Sequence, residues 1–526
     1  MTTTTQTVLA VPSGNELLSE SSIPLTLLND ASINPQALDR FPARTSLLQK
    51  VVVTIQLSGV TFTSSLINGL VIVGLPAITK DLQLPPSLAF WPASVSGLAT
   101  ASTLLIAGSV ADVLGPRWVD LVGCFASGAL MLGSGAAREG TELVAMRALQ
   151  GVGLALHLAS SVSIITEVLP QGRGRNLAFS CLGLSQPLGF SLGLVLGGIF
   201  VDTIGWRAGW FFSGGLTLLF AVIGVWALPK SRRERRVGDI LRDFKTKVDW
   251  VGALLASAFM TLLCYLLAVL SADVTRINEP LSIIILSFSP VALLLFVGWM
   301  HHRIQKGRPA LIPNSLWKNA TFSGICGTIA LSSAVINSNE LFCSLFFQEV
   351  QQLPALQASI RILPGTIMGV VVNLIMGFFV HKVPAIWIVT TTSVLCAGSP
   401  LLMAVIQPSW PYWGNAFVAQ LLMPISCDAL FTVGLIVITD VFPEDTQALA
   451  GAVFNTASQF GSALGLAIMQ VVSTSVTMEQ KGMDEIPALM KGYRASFWTM
   501  FGFMILCTAI GALGLRRTGM IGLKRD

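Results

Sequence analysis

The chain has 526 residues, 53% of them hydrophobic and only 11% charged, with a formal net charge of +5. Soluble proteins carry about 25% charged residues, so one large water-facing core is excluded. The small positive excess matters for where it lies, and no nucleic-acid partner is expected.

Residues 1–46 are polar and rich in Thr, Ser, Asn and Pro. They read as a disordered cytoplasmic tail without a cleavable signal. Beyond them, apolar runs of about 20 residues recur, each able to cross ~30 Å of hydrocarbon as a helix. Fourteen spans are expected, with cores at 49–76, 89–111, 119–137, 143–168, 177–200, 208–228, 249–271, 281–300, 320–347, 355–380, 385–406, 412–440, 447–475 and 495–515. The fold class is therefore an all-α polytopic membrane protein. An even number of spans puts both termini on one side. Placing that side inside gives it 23 of the 32 Lys and Arg, led by "PKSRRERRVGDILRDFKTK" at 229–247. That asymmetry makes it the cytoplasmic face.

Span 1 carries Thr54, Ser58, Thr61, Ser65 and Asn68 on one helical face, without an acid. Span 2 ends in "GSVADVLGPRW", where Gly108 and Gly115 permit tight helix contact. Asp112 and Arg117 can bond a helix end or a neighbouring charge, forming a latch that holds one conformation closed. In span 4, "RALQGVGLA" opens a polar stripe of Arg147, Gln150, His157 and Ser161. A charge at the bilayer centre costs ~3 kcal/mol or more, so such a stripe faces protein or water. Two blander readings stand beside it: Arg147 snorkels to the membrane surface, and His157 is a hydrogen-bonded packing residue. Span 5 contains "GFSLGLVLGG", whose Gly189, Gly193 and Gly197 share one face and admit a close neighbour. Gly198 adjoins them. The hydrolase reading of "GFSLG" fails because that elbow needs a preceding strand.

In span 9, Ser333, Asn337, Glu340, Ser344 and Gln348 share a face, and in span 12 so do Asp428 and Thr432, with Thr439 further along. Carboxyl groups inside a span are natural proton carriers, since desolvation can move an acid from pH ~4 toward neutrality. Their alternative role is a structural hydrogen bond between helices. The eight cysteines (124, 181, 264, 326, 343, 396, 427 and 507) all lie in apolar segments. They read as small buried hydrophobes, with no metal-ligand spacing; no metal and no cofactor are expected.

Spans 5 and 13 both hold Gly-x-x-x-Gly-Leu shortly after Ser-Gln, at 185–194 and 458–466. Gly108 also precedes Asp112 as Gly377 precedes His381. Spans 1–6 and 9–14 thus read as two related six-helix halves, with spans 7 and 8 inserted. The expected organisation is a tail (1–46), an N-terminal bundle (47–229), a basic loop (230–247), an inserted pair (248–300), a loop (301–319), a C-terminal bundle (320–515) and a C-terminus (516–526). Parallel repeats of this kind build transporters with the substrate between the halves.

Three of these motifs, at 108–118, 147–155 and 189–198, resemble the loop, proton-coupling and antiporter signatures of the major facilitator superfamily. With "WRAGWFF", "KVDWVGALL" and "LQASIRILPG", the chain resembles its fourteen-helix drug:proton antiporter branch in fungal form, over residues 47–515. It departs from the pattern at Val113, where a basic residue is common, at Leu194, where proline is usual, and in its acid-free first span.

The resemblance implies two bundles rocking about a central cavity. Ser65, Asn68, Gln150, His157, Asn337, Ser344 and Thr432 are the expected lining, and Asp428, Glu340 and Arg147 the proton-coupling residues. It further implies a monomer in the plasma membrane, in contact with lipid, that exports a small organic molecule in exchange for protons. Uptake of a small ion or nutrient is the alternative. A non-transporting sensor would need a cytoplasmic domain, and an enzyme a convergent nucleophile or metal set; the sequence offers neither. The sequon at Asn319 falls on the cytoplasmic side and is expected to be unglycosylated.

Overall fold

The computed structural model describes residues 46–516, apart from 86–87, 170–172, 230–241, 243–247, 273, 309, 381, 443 and 481. The N-terminal tail, almost all of the basic loop, His381, the side chain of Thr439 and the C-terminus from 517 lie outside the described residues.

Among the described residues, fourteen helices are long and apolar enough to cross a membrane. In chain order they are α1 (Leu47–Asp81), α2 (Trp91–Leu114), α3 (Pro116–Ala136), α4 (Gly140–Val168), α5 (Arg173–Thr203), α6 (Arg207–Ala227), α7 (Trp250–Ala272), α8 (Pro280–Gln305), α9 (Ala320–Leu345), α10 (Ala355–Phe379), α11 (Ala385–Val405), α12 (Ala416–Leu422 and Ile425–Val441), α13 (Glu444–Glu479) and α14 (Glu485–Gly514). Local sequence sets their ends. Ser46 caps α1 by accepting the Gln49 N–H at 3.1 Å, and Pro116 opens α3 where a missing N–H does no harm. Between α2 and α3 stands Gly115 alone, at φ +93°, a conformation that a side chain would strain. Asn319 caps α9 by accepting from Thr321 and Phe322, so the sequon's asparagine has a structural task.

Two halves of six helices assemble in the same way. In the first, α1 packs on α5, α2 and α6 flank the α3–α4 pair, and in the second α9 packs on α13 while α11 meets α14. The α1–α5 contact is a glycine seam. A Cβ on Gly189 would lie 2.2 Å from the Phe62 carbonyl oxygen, and one on Gly193 2.1 Å from that of Leu66. Gly197 faces the Leu70 Cα. The α9–α13 contact repeats it: a Cβ on Gly461 would sit 2.2 Å from the Ala330 carbonyl oxygen, and Gly465 abuts Ala334. The shared Gly-x-x-x-Gly thus marks equivalent crossings in the two halves, each against the helix that opens its own half. Across the molecule, α5 meets α10 and α2 meets α13, reciprocal contacts that follow from the repeat.

The inserted pair lies outside the bundles. Helix α7 lies along the seam between α2 and α13: the Ser257 hydroxyl donates to the Ser102 carbonyl at 2.6 Å, and Phe259 meets Phe460 with centroids 5.8 Å apart. Helix α8 packs on α7. Asp249 joins them by accepting from the Gly252 N–H and the Trp299 indole at 3.0 and 2.9 Å. The rest of α8 exposes Leu281, Ile284, Phe288 and Leu294, a surface suited to lipid.

Candidate functional site

The two ends of the bundle differ. At the end where α1 finishes, the halves touch. Ser344 donates to the Ile72 carbonyl at 3.2 Å, and the Gln348 amide to that of Val73 at 3.1 Å. The Leu356 N–H donates to Asp202 at 3.0 Å. Gly198, read in sequence with the α5 seam, instead faces α10, where a Cβ would lie 2.5 Å from the Leu356 Cα. At the end where α1 begins, Gly108, Gly115, Gly183 and Gly451 each face open space. Asp112 is exposed and has no hydrogen-bond or ion-pair partner among the described residues. Arg117 caps α6, donating to the Leu228 and Val225 carbonyls at 2.8 and 2.6 Å. The latch residues therefore stand apart, and the halves are hydrogen-bonded to each other at the end where α1 finishes.

Between these ends, each half offers a polar centre of its own. In the first half, Arg147 is wholly buried, so it does not snorkel. Its guanidinium donates to the Pro92 carbonyl at 3.0 Å, to Gln150 Oε1 at 3.2 Å and to Asn68 Oδ1 at 3.2 Å. The fourth wall is the Trp210 ring, with its centroid 5.3 Å from the guanidinium carbon. All four partners are neutral. A fixed charge buried at this depth is costly unless hydrogen-bonded, and the fork geometry of arginine matches the three acceptors. The sequence reading allowed an approach to a carboxylate; among the described residues none lies within ion-pair distance.

The second half holds the acids. Glu340, buried on α9, and Asp428, partly exposed on α12, are near enough for their charges to interact. Asp428 lies in the first turn of the second segment of α12, where the helix dipole favours an anion. That helix was expected to be continuous. It breaks at Met423–Pro424 because Pro424 has no N–H to offer the Gln420 carbonyl, which takes the Met423 N–H at 3.3 Å instead, while the Met423 carbonyl accepts the Cys396 thiol at 3.1 Å. Gly369 of α10 leaves room for Asp428: a Cβ there would lie 2.6 Å from Oδ2. Beside it, Asn373 donates to the Gly369 carbonyl at 3.0 Å. Thr432 is partly exposed and donates to the Asp428 carbonyl at 3.4 Å.

Other expected lining residues divide by burial. Ser65, Asn68 and Asn337 are partly exposed; Asn337 donates to the Ser333 carbonyl and to Ser462 Oγ, both at 3.0 Å. Gln150 and Ser344 are buried, the first holding Arg147 and the second closing the halves. His157 follows the packing reading rather than the cavity one. It is fully enclosed within the first half, with Nδ1 2.8 Å from Asp120 Oδ1 and Nε2 3.1 Å from Thr61 Oγ1, and lines no opening. Sequence reasoning did not single out its partner, Asp120, which stands on the neighbouring helix α3. The available signal was Asp-x-x-x-Cys at 120–124, which puts both side chains on one face of α3. Also missed was Gln420 on the first segment of α12, buried with both amide atoms unpartnered.

Comparison with known proteins bears on what these centres serve. The family model of the Major Facilitator Superfamily matches residues 57–419 and 369–520. The chain belongs to that superfamily. MFS-type transporter 1 of Pyricularia oryzae is 37% identical, over 91% of this chain and 85% of that one. The low affinity ammonium transporter of Saccharomyces cerevisiae is 24% identical over 83% and 82%, and the efflux pump terJ of Aspergillus terreus 23% over 79% and 77%. A crystal structure of a bacterial homolog of the human lysosomal transporter Spinster, inward-facing and occupied, shares the fold with a TM-score of 0.62. It is 15% identical, over 90% of this chain and 98% of that one. The protein is a multi-pass membrane transporter of this superfamily.

Proposed function

We propose that the transporter exports a small organic molecule in exchange for protons, with Glu340 and Asp428 as the proton site. The observation that carries this reading is the presence of two acids on packed helices of one half, one of them beside a helix break, and of a caged permanent cation in the other. Two like charges in a poorly solvated site repel. A proton on either acid relieves that repulsion, and so does a cationic or strongly polar substrate. The two ligands therefore compete for one site, and competition for a site that alternates between faces is exchange. Arg147 holds its half of the cavity at fixed charge and shapes the wall through Asn68 and Gln150.

Exchange needs a driving force large enough to matter. About 100 mV supplies ~2.3 kcal/mol per charge and one pH unit ~1.4 kcal/mol, together ~3.7 kcal/mol per proton. That sustains a several-hundredfold substrate gradient. Export is favoured by the glycine seam of α5 and by the likeness to the efflux pump terJ. The organisation into tail, two bundles, basic loop and inserted pair belongs to this reading. Both termini and the basic loops face the cytoplasm, the protein works as a monomer in the plasma membrane, and the structure described is open to the cytoplasm. The glycines 108 and 115, with Asp112 and Arg117, re-form their latch when that face closes. A second reading, uptake of a small cation, is favoured by the acid-free first helix and by the likeness to the yeast low affinity ammonium transporter.

Accumulation of a compound panel in inside-out vesicles separates these readings. Export by exchange gives accumulation that requires an inside-acid gradient and collapses with a protonophore. Accumulation that ignores the protonophore, or ammonium flux alone, would replace it with uniport or uptake.

A further inference from the structure

The transport reading leaves unused a cluster deep in the first half. Asp120 and Cys124 on α3, His157 on α4 and Gln56 on α1 are all fully buried. Their donor atoms converge. Asp120, Cys124 and His157 present ligand atoms within 4.8 Å of one another. His157 Nδ1 is 2.8 Å from Asp120 Oδ1 and 3.5 Å from Cys124 Sγ. Cys124 Sγ is 3.6 Å from Asp120 Oδ2. The Gln56 amide nitrogen lies 3.3 Å from Asp120 Oδ2 and 3.9 Å from Cys124 Sγ, while Gln56 Oε1 is buried with no partner.

These separations can be compared with the edges of a metal tetrahedron. Zinc bonds of ~2.3 Å to sulfur and ~2.0–2.1 Å to nitrogen or oxygen imply S···N and S···O edges of about 3.5 Å and N···O edges of about 3.3 Å. The Cys124–His157 edge already fits, and the Cys124–Asp120 edge fits on Oδ2. His157 meets the other carboxylate oxygen, Oδ1, so the Asp120 carboxylate must turn to present one oxygen to both neighbours. Turning the Gln56 amide over exchanges its nitrogen and oxygen, which brings the unpartnered Oε1 to the fourth corner.

The histidine tautomer also suits a metal. The Thr61 hydroxyl donates to the Leu57 carbonyl at 3.1 Å, so its oxygen is left to accept from His157 Nε2–H. Nδ1 then faces Asp120 across one shared proton, the proton a cation would replace. This is the outer hydrogen bond that metal-bound histidines make. Charge closes as well: a divalent ion, one thiolate and one carboxylate sum to zero, which suits a site within hydrocarbon.

We propose that Gln56, Asp120, Cys124 and His157 form a closed tetrahedral site for a divalent ion of zinc type, pinning α1 to α3 and α4. With four protein donors and no open position the ion is structural, neither cargo nor catalyst. Binding displaces two protons, one from the Cys124 thiol and one from the His157–Asp120 bridge.

The test uses the full chain expressed in cobalt-supplemented medium, so that loading can occur during folding, and purified in detergent. The site predicts about one cobalt per chain, tetrahedral ligand-field bands and a sulfur-to-cobalt charge-transfer band. In Cys124→Ser the charge-transfer band disappears, and retained metal falls at least about tenfold. Chelator-stripped protein given zinc should release two protons per ion. Negligible metal in the wild type, cobalt without the sulfur band, or full occupancy in Cys124→Ser would overturn the proposal, the last placing the ion elsewhere, as on His301 and His302. Should Cys124→Ser not fold, the wild-type spectrum and proton count decide alone.

Discussion

The two halves share one construction and differ in the charge they enclose. Both are held by a glycine seam between their first and fifth helices, Gly189 and Gly193 against α1 and Gly461 and Gly465 against α9. At its centre the first half encloses Arg147, which no physiological pH neutralises, among neutral partners. The second encloses Glu340 and Asp428, groups that gain and lose protons. Duplication has given two scaffolds, and the side chains within them have separated permanent charge from exchangeable charge. The seams are the common part and should respond alike to mutation; the centres should not.

The largest effect expected is on the seams. Gly193→Val and Gly461→Val force side chains into carbonyls and should each abolish recovery of monodisperse protein from detergent. Their alanine forms should lose about 1–3 kcal/mol of stability, read as a lowered Tm. Gly108→Ala and Gly451→Ala, which face open space, should melt like wild type. Equal loss at all four glycines would mean that the seams are not what holds the halves. Next come the acids. Asp428→Asn and Glu340→Gln should reduce gradient-driven transport by about 100-fold while sparing substrate counterflow, which moves no net proton. That loss lies within the several-hundredfold gradient that ~3.7 kcal/mol per proton sustains.

Arg147→Lys keeps the charge and loses the fork that grips Asn68, Gln150 and Pro92. A loss of about tenfold in both modes is expected, because lysine cannot replace a planar bidentate donor. A variant that lost only gradient-driven transport would put Arg147 in the proton path and erase the division between halves. The smallest effect belongs to the hydrogen-bonded end. Ser344→Ala with Gln348→Ala removes two hydrogen bonds between halves, each worth ~1 kcal/mol. The labelling rate of a cysteine introduced as Val73→Cys should rise severalfold to tens-fold as that end opens more often.

How much of this was legible in the sequence depended on whether the signal lay along one helix or between several. Fourteen spans, the two-half repeat and the glycine faces follow from apolar length and from spacing, which are properties of a single segment. Gln150 beside Arg147 was legible for the same reason, being three residues on. Asn68, Pro92 and Trp210 come from three other helices, and no periodicity names them. Asp428 and Glu340 could be singled out because an acid inside a span is costly wherever it faces, whereas their proximity depends on how α9 and α12 pack. The break at Met423–Pro424 escaped because "LLMPISC" is apolar throughout, and hydropathy does not register a missing N–H. For His157 the packing reading holds and the cavity reading does not, because a polar stripe on a helix wheel cannot distinguish a cavity from a partner such as Asp120.

The account turns on the acid pair, and the most direct measurement of it is proton release on substrate binding. Purified protein in weakly buffered detergent, with a pH indicator, would be mixed with a compound returned by the vesicle panel. The account predicts release of about one proton per bound molecule, lost in the Glu340→Gln, Asp428→Asn double variant. Binding without proton release in the wild type, or unchanged release in the double variant, would contradict it.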